Sequence, residues 1–310
     1  MRVAVFGASG FVGSAVCEEL EQRGHDVVKI KSPRFAPVQQ ADLKSRLNTE
    51  SLDESILVTL GSVDVVINAA GNPGATTKDE AELLAPNALL PGLIAKACTQ
   101  AGVPRFIHIS SAAVQGRLEP LDSTMKYEPF SPYSRLKIWG EQAVLPMAPR
   151  VAAVYRPGGV QGVGHGITES ITRLASSRLS VVPTGDPMPT PQALISNVAA
   201  AVALIAEQEG EVPPVVHHPW EGITTSSLLE ILGSKEPKRV PRIVATTVLA
   251  CARLAGRAFP PLAAHSRRLE ILWFGQSQAP SWLEENGLTS DSLRSGWSAA
   301  AEQDESVSGR

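Results

Sequence analysis

Tyr133-Ser134-Arg135-Leu136-Lys137 sets a phenol and an amine four residues apart, which puts both on one face of a helix. A free phenol has a pKa of about 10 and is a poor acid–base group at neutral pH. An ammonium beside it favours the phenolate and lowers that value. Ser110-Ser111 lies 22 residues before Tyr133, at the end of an apolar run. A hydroxyl there can hydrogen-bond an oxygen that gains or loses a proton. Taken singly, these signals are common. Tyr-x-x-x-Lys arises by chance in many helices, and paired serines usually cap a helix or line a loop. Together they suggest general acid–base chemistry at a substrate oxygen.

A second set lies at the N-terminus. Gly7-Ala8-Ser9-Gly10-Phe11-Val12-Gly13 sits where the apolar run Val3–Phe6 gives way to helical spacing. Glycines there permit a tight turn, close approach of a pyrophosphate to backbone N–H groups, and close packing of helix on strand. The spacing is GxxGxxG, not the commoner GxGxxG, so its place between strand and helix carries the argument. The expected contacts to a dinucleotide are Gly7, Ser9, Gly10, Phe11, Val12 and Gly13. The second strand runs into Ile30-Lys31-Ser32-Pro33-Arg34. An acid near that point would hold a ribose 2′-hydroxyl and repel a 2′-phosphate. No acid is there, and Lys31, Ser32 and Arg34 can all face a phosphate, so NADP(H) is favoured and NAD(H) stays open. The plainer reading of Lys31 and Arg34 is solvated loop charge. Asp42-Leu43 is placed to flank the adenine. Asn68-Ala69-Ala70-Gly71 ends a later strand, and the small residues Ala69, Ala70 and Gly71 let the chain lie against a flat cofactor. Lys137 can then hydrogen-bond the nicotinamide ribose and tie proton transfer to cofactor position.

The elements that must position these groups alternate in period. Strands are expected at Val3–Phe6, Val27–Ile30, Val38–Ala41, Asp64–Ile67, Arg105–Ile109 and Val151–Tyr155. Helices are expected at Phe11–Arg23, Ser51–Leu60, Glu80–Ala101 and Pro132–Val144, with Pro86 and Pro91 forcing a break or kink near Asn87. Such alternation implies parallel strands with helices on both faces. The second half is less regular, with helices expected at Ile167–Ser176, Asn197–Glu207, Thr225–Leu232 and Val244–Ala255. A proline-rich extended loop is expected at Pro183–Pro191, and a fraying tail from Ala301 to Arg310.

Composition narrows the function classes. The chain has 310 residues, 43% hydrophobic and 19% charged, enough to bury a full core and exclude global disorder. That length fits about two domains or one large α/β unit. A net charge of −3 gives no sign of a nucleic-acid binder. Cys17, Cys98 and Cys251 are few and far apart, which argues against a disulfide framework or a clustered zinc site and fits a reducing compartment. Val3–Phe6 is too short for a signal peptide. Ile243–Leu254 is the most membrane-like run, but Arg253 and Arg257 fall within it or just after, and about 18 uninterrupted apolar residues would be needed. A buried or groove-lining helix is expected there. His217-His218 has no Cys or acidic partner at ligand spacing, so no metal is expected. No G-x-S-x-G elbow supports a hydrolase. The expectation is a cytoplasmic protein with a small-molecule substrate and neither nucleic acid nor membrane as partner.

As a set, these residues resemble the extended short-chain dehydrogenase/reductase family, also called the NAD-dependent epimerase/dehydratase family. The matching pieces are Gly7-x-x-Gly10-x-x-Gly13, Asn68-Ala69-Ala70-Gly71, Asn87, Ser110 to Gly116, Tyr133-x-x-x-Lys137 and Arg156 to Gly162. The likeness covers about residues 1–235. It implies a doubly wound parallel α/β sheet of the Rossmann type at 1–160. A smaller, mostly helical substrate-binding region at 161–300, partly interleaved with it, and a flexible tail at 301–310 would follow. By the same resemblance Ser111 is the catalytic Ser/Thr, Tyr133 the acid/base and Lys137 its ribose-binding partner. Asn87 supports the cofactor and a proton relay, and Pro157, Gly158 and Gly159 supply backbone beside the nicotinamide. His165, Arg173 and the Pro183–Pro191 loop fall where the family builds its substrate pocket. Homodimerisation through the Tyr/Lys helix is a further implication.

Two departures narrow the chemistry. Gly158-Gly159 stands where many nucleotide-sugar enzymes of the family carry an Asn, and Ala112-Ala113 stands where its dehydratases carry an Asp-Glu pair. Elimination of water needs a second acid and base, so it is disfavoured. Hydride transfer between NADP(H) and a secondary alcohol or ketone remains, as in a ketoreductase acting on a sugar or secondary metabolite. A nucleotide-sugar epimerase with tightly held NAD and a non-catalytic NADP(H)-binding redox sensor are the alternatives.

Overall fold

A computed structural model describes residues 1–72, 79–185, 187–258 and 260–297. The chain divides into two compact units: residues 1–116, 123–157 and 198–218 form the first, and residues 117–122, 158–197 and 219–310 the second. The expected fraying tail, 301–310, lies outside the described residues.

The first unit is built on a six-stranded sheet. Its strands are β1 (Arg2–Phe6), β2 (Asp26–Ile30), β3 (Val65–Asn68), β4 (Arg105–Ile109), β5 (Val151–Arg156) and β9 (Val215–His217), in spatial order β2-β1-β3-β4-β5-β9. Every neighbouring pair is parallel. The central strands are apolar and buried on both faces, as helix-covered parallel strands must be: Val3 to Phe6 are wholly buried. The order reverses between β1 and β3, so a crevice opens beyond their C-terminal ends, where Gly7 and the Asn68–Gly71 turn lie.

The helices of this unit are α1 (Phe11–Gln22), α2 (Leu43–Thr49), α3 (Glu54–Leu60), α4 (Glu80–Leu84), α5 (Leu90–Gln100) and α6 (Pro132–Val144). Helix α6 starts where the sequence supplies a start: Ser131 caps it, its side chain accepting from the Ser134 N–H, and Pro132 occupies the first turn. Two expectations are corrected. Val38–Ala41 is not a strand: Val38 is buried as part of a loop, and Gln40–Asp42 forms a 3₁₀ turn that leads into α2. The helix expected from Ser51 begins only at Glu54, with Asp53 at its N-terminal boundary. Near Asn87, where a break or kink is expected, the α-helix is interrupted. Residues Ala85–Leu89 form a π turn between α4 and α5 that holds Pro86, and Pro91 falls in the first turn of α5.

The second unit is mostly helical. It contains two short parallel pairs, β6 (Gly159–Gln161) with β8 (Gln192–Leu194) and β7 (Val181–Pro183) with β10 (Lys238–Val240). Around them lie α7 (Gly166–Ser176), α9 (Thr225–Gly233), α10 (Arg242–Ala258), α11 (Pro260–Phe274) and α12 (Trp282–Glu285). Helix α8 (Ile195–Glu207) runs from β8 into the residues that return to the first unit. Buried Glu221 ties this unit together, accepting from the Leu194 N–H, from Asn197 Nδ2 at 2.9 Å and from the Trp297 indole. Among the described residues no helix is long and apolar enough to cross a membrane.

Candidate active site

The glycine turn after β1 is tight for a measurable reason. Gly7 has φ +78°, and a Cβ there would lie 2.6 Å from Ala70 N, inside contact distance. A Cβ on Gly13 would lie 2.0 Å from Gly7 O, so α1 can pack on the turn only without a side chain. The Gly10 N–H donates to Gly7 O at 2.9 Å, and no acid occupies the first turn of α1. The helix therefore presents its N-terminal N–H groups, with Ser9 and Gly10 exposed, to whatever anion approaches. This cradle fits a dinucleotide pyrophosphate.

The residues after β2 are consistent with a 2′-phosphate. Lys31 and Arg34 are exposed, and the Ser32 hydroxyl is buried with no hydrogen-bond partner among the described residues. Asp42 closes the 3₁₀ turn and is exposed, and Leu43 starts α2 half-buried.

Helix α6 carries the chemistry-bearing face. Tyr133, Lys137 and Glu141 follow one another at four-residue spacing. The Ser111 hydroxyl faces the half-buried Tyr133 phenol closely enough to lower its pKa, and it accepts from the Ala113 N–H at 3.2 Å. Ser111 thus caps a short 3₁₀ turn and faces the phenol as well. Lys137 is 5% exposed and donates to Ile109 O at 2.8 Å. A Cβ on Gly71 would lie 3.1 Å from Asn87 Oδ1 and 4.0 Å from Lys137 Nζ. The Asn68–Gly71 turn, Asn87 and Lys137 therefore converge. The Asn87 amide is committed on both sides: Oδ1 accepts from Asn72 N at 3.1 Å, and Nδ2 donates to Asn72 O and Leu83 O, each at 2.8 Å.

The electrostatics differ from the simple expectation. Burial pushes the Tyr133 phenol up from its ordinary value, and only the Ser111 hydroxyl pulls it down. The phenol is thus held neutral, with a proton to give. Burial lowers Lys137 to about 8, against the pull of the Glu141 carboxylate, which favours the ammonium.

Sequence reasoning missed the support beneath this face. Glu141 and Arg156 are fully buried and form a bidentate pair, Nε to Oε1 at 3.0 Å and Nη2 to Oε2 at 2.7 Å. Ser110 Oγ donates to Glu141 Oε1 at 2.5 Å, so of the two strand-end serines this one is structural. Arg156 also donates to Thr124 O at 2.7 Å and lies 5.5 Å from the centre of the Tyr127 ring. Burial, then the Glu141 carboxylate, pushes the Tyr127 phenol up to about 12. Beside Lys137, His108 is wholly buried, and burial followed by the ammonium holds it well below its usual value. Asn68 Oδ1 accepts from the Ala70 N–H, which turns Nδ2 toward His108 Nδ1 at 3.1 Å. The signal for Glu141 was available, since it continues the spacing of Tyr133 and Lys137.

Other expected residues are placed as follows. Pro157 O accepts from the Ala112 N–H at 2.8 Å, beside Ser111. Gly158 and Gly159 belong to the second unit, where a Cβ on either would lie within 2.3 Å of Pro191 O or Gln192 Oε1, so close strand pairing already explains them. Arg173 contacts its own helix, through Glu169 O and Ser170 Oγ. His217 and His218 are buried beside Ser123 Oγ and the Tyr155 hydroxyl, at 2.8 and 2.6 Å. Among the described residues no group of three or more His, Cys, Asp or Glu is placed to hold a metal ion.

Comparison with known proteins agrees with this architecture. The chain is 28% identical over 254 residues to dTDP-4-dehydrorhamnose reductase of Mycolicibacterium smegmatis, covering 77% of this chain and 71% of that one. It is 32% identical over 217 residues to the probable low-salt glycan biosynthesis reductase Agl14 of Haloferax volcanii, covering 66% and 68%. Among solved structures, the human epimerase family protein SDR39U1 with NADPH superposes with a TM-score of 0.60 at 19% identity, covering 95% of this chain and 99% of that one. That likeness is one of fold. The family model for the NAD dependent epimerase/dehydratase family matches residues 3–214, and the chain belongs to that family.

Proposed function

We propose that this protein is an NADP(H)-linked oxidoreductase of the Ser/Tyr/Lys type that reduces a ketone to a secondary alcohol. The observation that carries the reading is geometric: Tyr133 sits one turn before Lys137 on α6, and Lys137 lies against the Asn87 side of the cofactor turn. A bound nicotinamide dinucleotide supplies the hydride for such a reduction. The cradle of Gly7, Gly10 and Gly13 holds its pyrophosphate, and Lys31, Ser32 and Arg34 take the 2′-phosphate. Ser111 polarises the substrate oxygen. Tyr133 donates its proton to that oxygen as the carbon gains hydride, and takes it back in the reverse direction. The Lys137 ammonium hydrogen-bonds the ribose and so fixes the nicotinamide beside Tyr133. Asn87 holds the turn beside Lys137. The reductase relatives, one named for a 4-dehydro sugar nucleotide, support a keto-sugar as the substrate class.

Incubation of purified protein with NADPH and a panel of ketones and keto-sugars tests the reading. Substrate-dependent loss of NADPH absorbance is the expected result. Release of stoichiometric NAD⁺ on denaturation, without net turnover, identifies an epimerase instead, and binding without any turnover a sensor. In the same assay NADPH is expected to bind more tightly than NADH, and Lys31→Ala/Arg34→Ala to remove the difference. Equal affinities in the unaltered protein would remove those two residues from the cofactor site.

The pH profile adds a second check. Lys137 carries its proton below about pH 8 and loses it above. The ribose then loses its charged donor and the cofactor its anchor beside Tyr133, so kcat for reduction is expected to fall as pH rises through that value. Tyr133, displaced upward from the ordinary phenol range, titrates later and does not produce this limb. A kcat that stays level through pH 8 and beyond would exclude the ammonium role.

A further inference from the structure

Helix α10 turns an apolar side to solvent. Ile243 is 75% exposed, Leu254 64%, Val244 48% and Val248 44%. At 3.6 residues per turn these four share a side with Thr247 and Cys251, opposite the buried Ala245, Leu249 and Gly256. The sequence reading of this segment as buried or groove-lining is thereby corrected. The helix is apolar over more of its circumference than the second unit covers. Arg242 and Arg253 lie along one flank, between the buried and the exposed apolar sides.

The surrounding charge is segregated. From Pro237 to Leu269 the chain has no Asp or Glu and seven Lys or Arg, although its net charge is −3. Lys238 and Arg239, just before the helix, are exposed. Of the acids that bound this stretch, Glu236 is exposed, and Glu270 is paired with Arg117, Arg253 and Arg267, which leaves Lys238, Arg239 and Arg242, at the start of α10, as exposed cations outside that cluster. An outward apolar face flanked by Lys238, Arg239 and Arg242 suits the boundary between headgroups and acyl chains of an anionic bilayer. At 17 residues, with Arg253 inside it, the helix is built to lie along a bilayer and not to cross it. A second copy of the chain fits less well, since two-fold pairing sets the same patch against itself and brings cationic flanks together.

We propose that α10 docks this protein on an anionic lipid surface, with Ile243, Val244, Val248 and Leu254 entering the acyl boundary and Lys238, Arg239 and Arg242 meeting the headgroups. Docking is independent of the reductase reading and is tested without substrate. The full chain is sedimented with vesicles of phosphatidylcholine alone and of phosphatidylcholine mixed with phosphatidylglycerol. Binding to the mixed vesicles is expected, weakening with added salt, and Ile243→Glu/Leu254→Glu should reduce it by about tenfold or more. Both positions are exposed, so the variant should keep the unaltered protein's unfolding transition. Cys251 is the exposed cysteine while Cys17 and Cys98 are buried, so a polarity-sensitive fluorophore on Cys251 gives a second readout. Its emission should shift to the blue on mixed vesicles only. Equal sedimentation with both vesicle types, or no blue shift on the mixed ones, overturns the proposal. So does a self-association in buffer that the double variant abolishes while vesicles capture neither protein, which would assign the face to a second copy.

Discussion

Tyr133→Phe is expected to lower kcat for ketone reduction by about 10²–10⁴-fold, the range for loss of a positioned general acid, while NADPH affinity changes little. The substitution keeps the ring and removes only the hydroxyl. Burial holds that hydroxyl protonated, and Ser111 is the side chain that moderates the effect. With it gone, Ser111 can still polarise the substrate oxygen, but no acid remains to protonate it. Single-turnover measurement of NADPH oxidation under saturating ketone, alongside a fluorescence titration of NADPH, separates chemistry from binding. Unchanged turnover would remove Tyr133 as the acid. A parallel loss of NADPH binding would mean that the phenol positions cofactor instead.

Removing one member of the Glu141–Arg156 pair is expected to cost about 3–5 kcal/mol of folding stability, the usual penalty for leaving a charge buried without its partner. Both side chains are fully buried, and their two contacts at 3.0 and 2.7 Å form a bidentate fork. Glu141→Gln leaves the guanidinium facing a neutral amide, and Arg156→Met leaves the carboxylate with Ser110 and Tyr127. Urea unfolding of each variant gives the single costs. The pair Glu141→Gln/Arg156→Met should cost less than their sum, because neither charge is then stranded. Additive losses would mean that the two side chains are stabilised separately. Glu141→Gln carries a catalytic signature as well. The carboxylate favours the Lys137 ammonium, so its loss should move the fall in kcat to lower pH. A purely structural role would leave that limb in place.

Reading the sequence went furthest where local rules and global fold agree. The α6 boundaries, Pro132–Val144, follow from Ser131 as cap, Pro132 in the first turn and the apolar spacing behind them. Strand β4 was legible because Phe106, Ile107 and Ile109 form a short β-prone stretch between Pro104 and Ser110. The false strand at Val38–Ala41 shows the limit: one buried valine in a loop mimics the start of a strand when periodicity is read over four residues. Helix α10 failed in the opposite direction, because an apolar stripe states what a side chain avoids and not whether anything covers it.

By itself, the amino-acid sequence determined the alternation of strands and helices, the glycine turn at Gly7–Gly13 and the Tyr133/Lys137 face. Each of these depends on residues within a few turns of one another, where backbone sterics and side-chain period decide. Only the tertiary structure decided that Ser111 faces the phenol while Ser110 supports Glu141, and that Glu141 meets Arg156. The same holds for the convergence of Gly71, Asn87 and Lys137. These contacts join residues far apart in the chain. Distance, burial and the resulting proton affinities exist only after the sheet has brought its strand ends together.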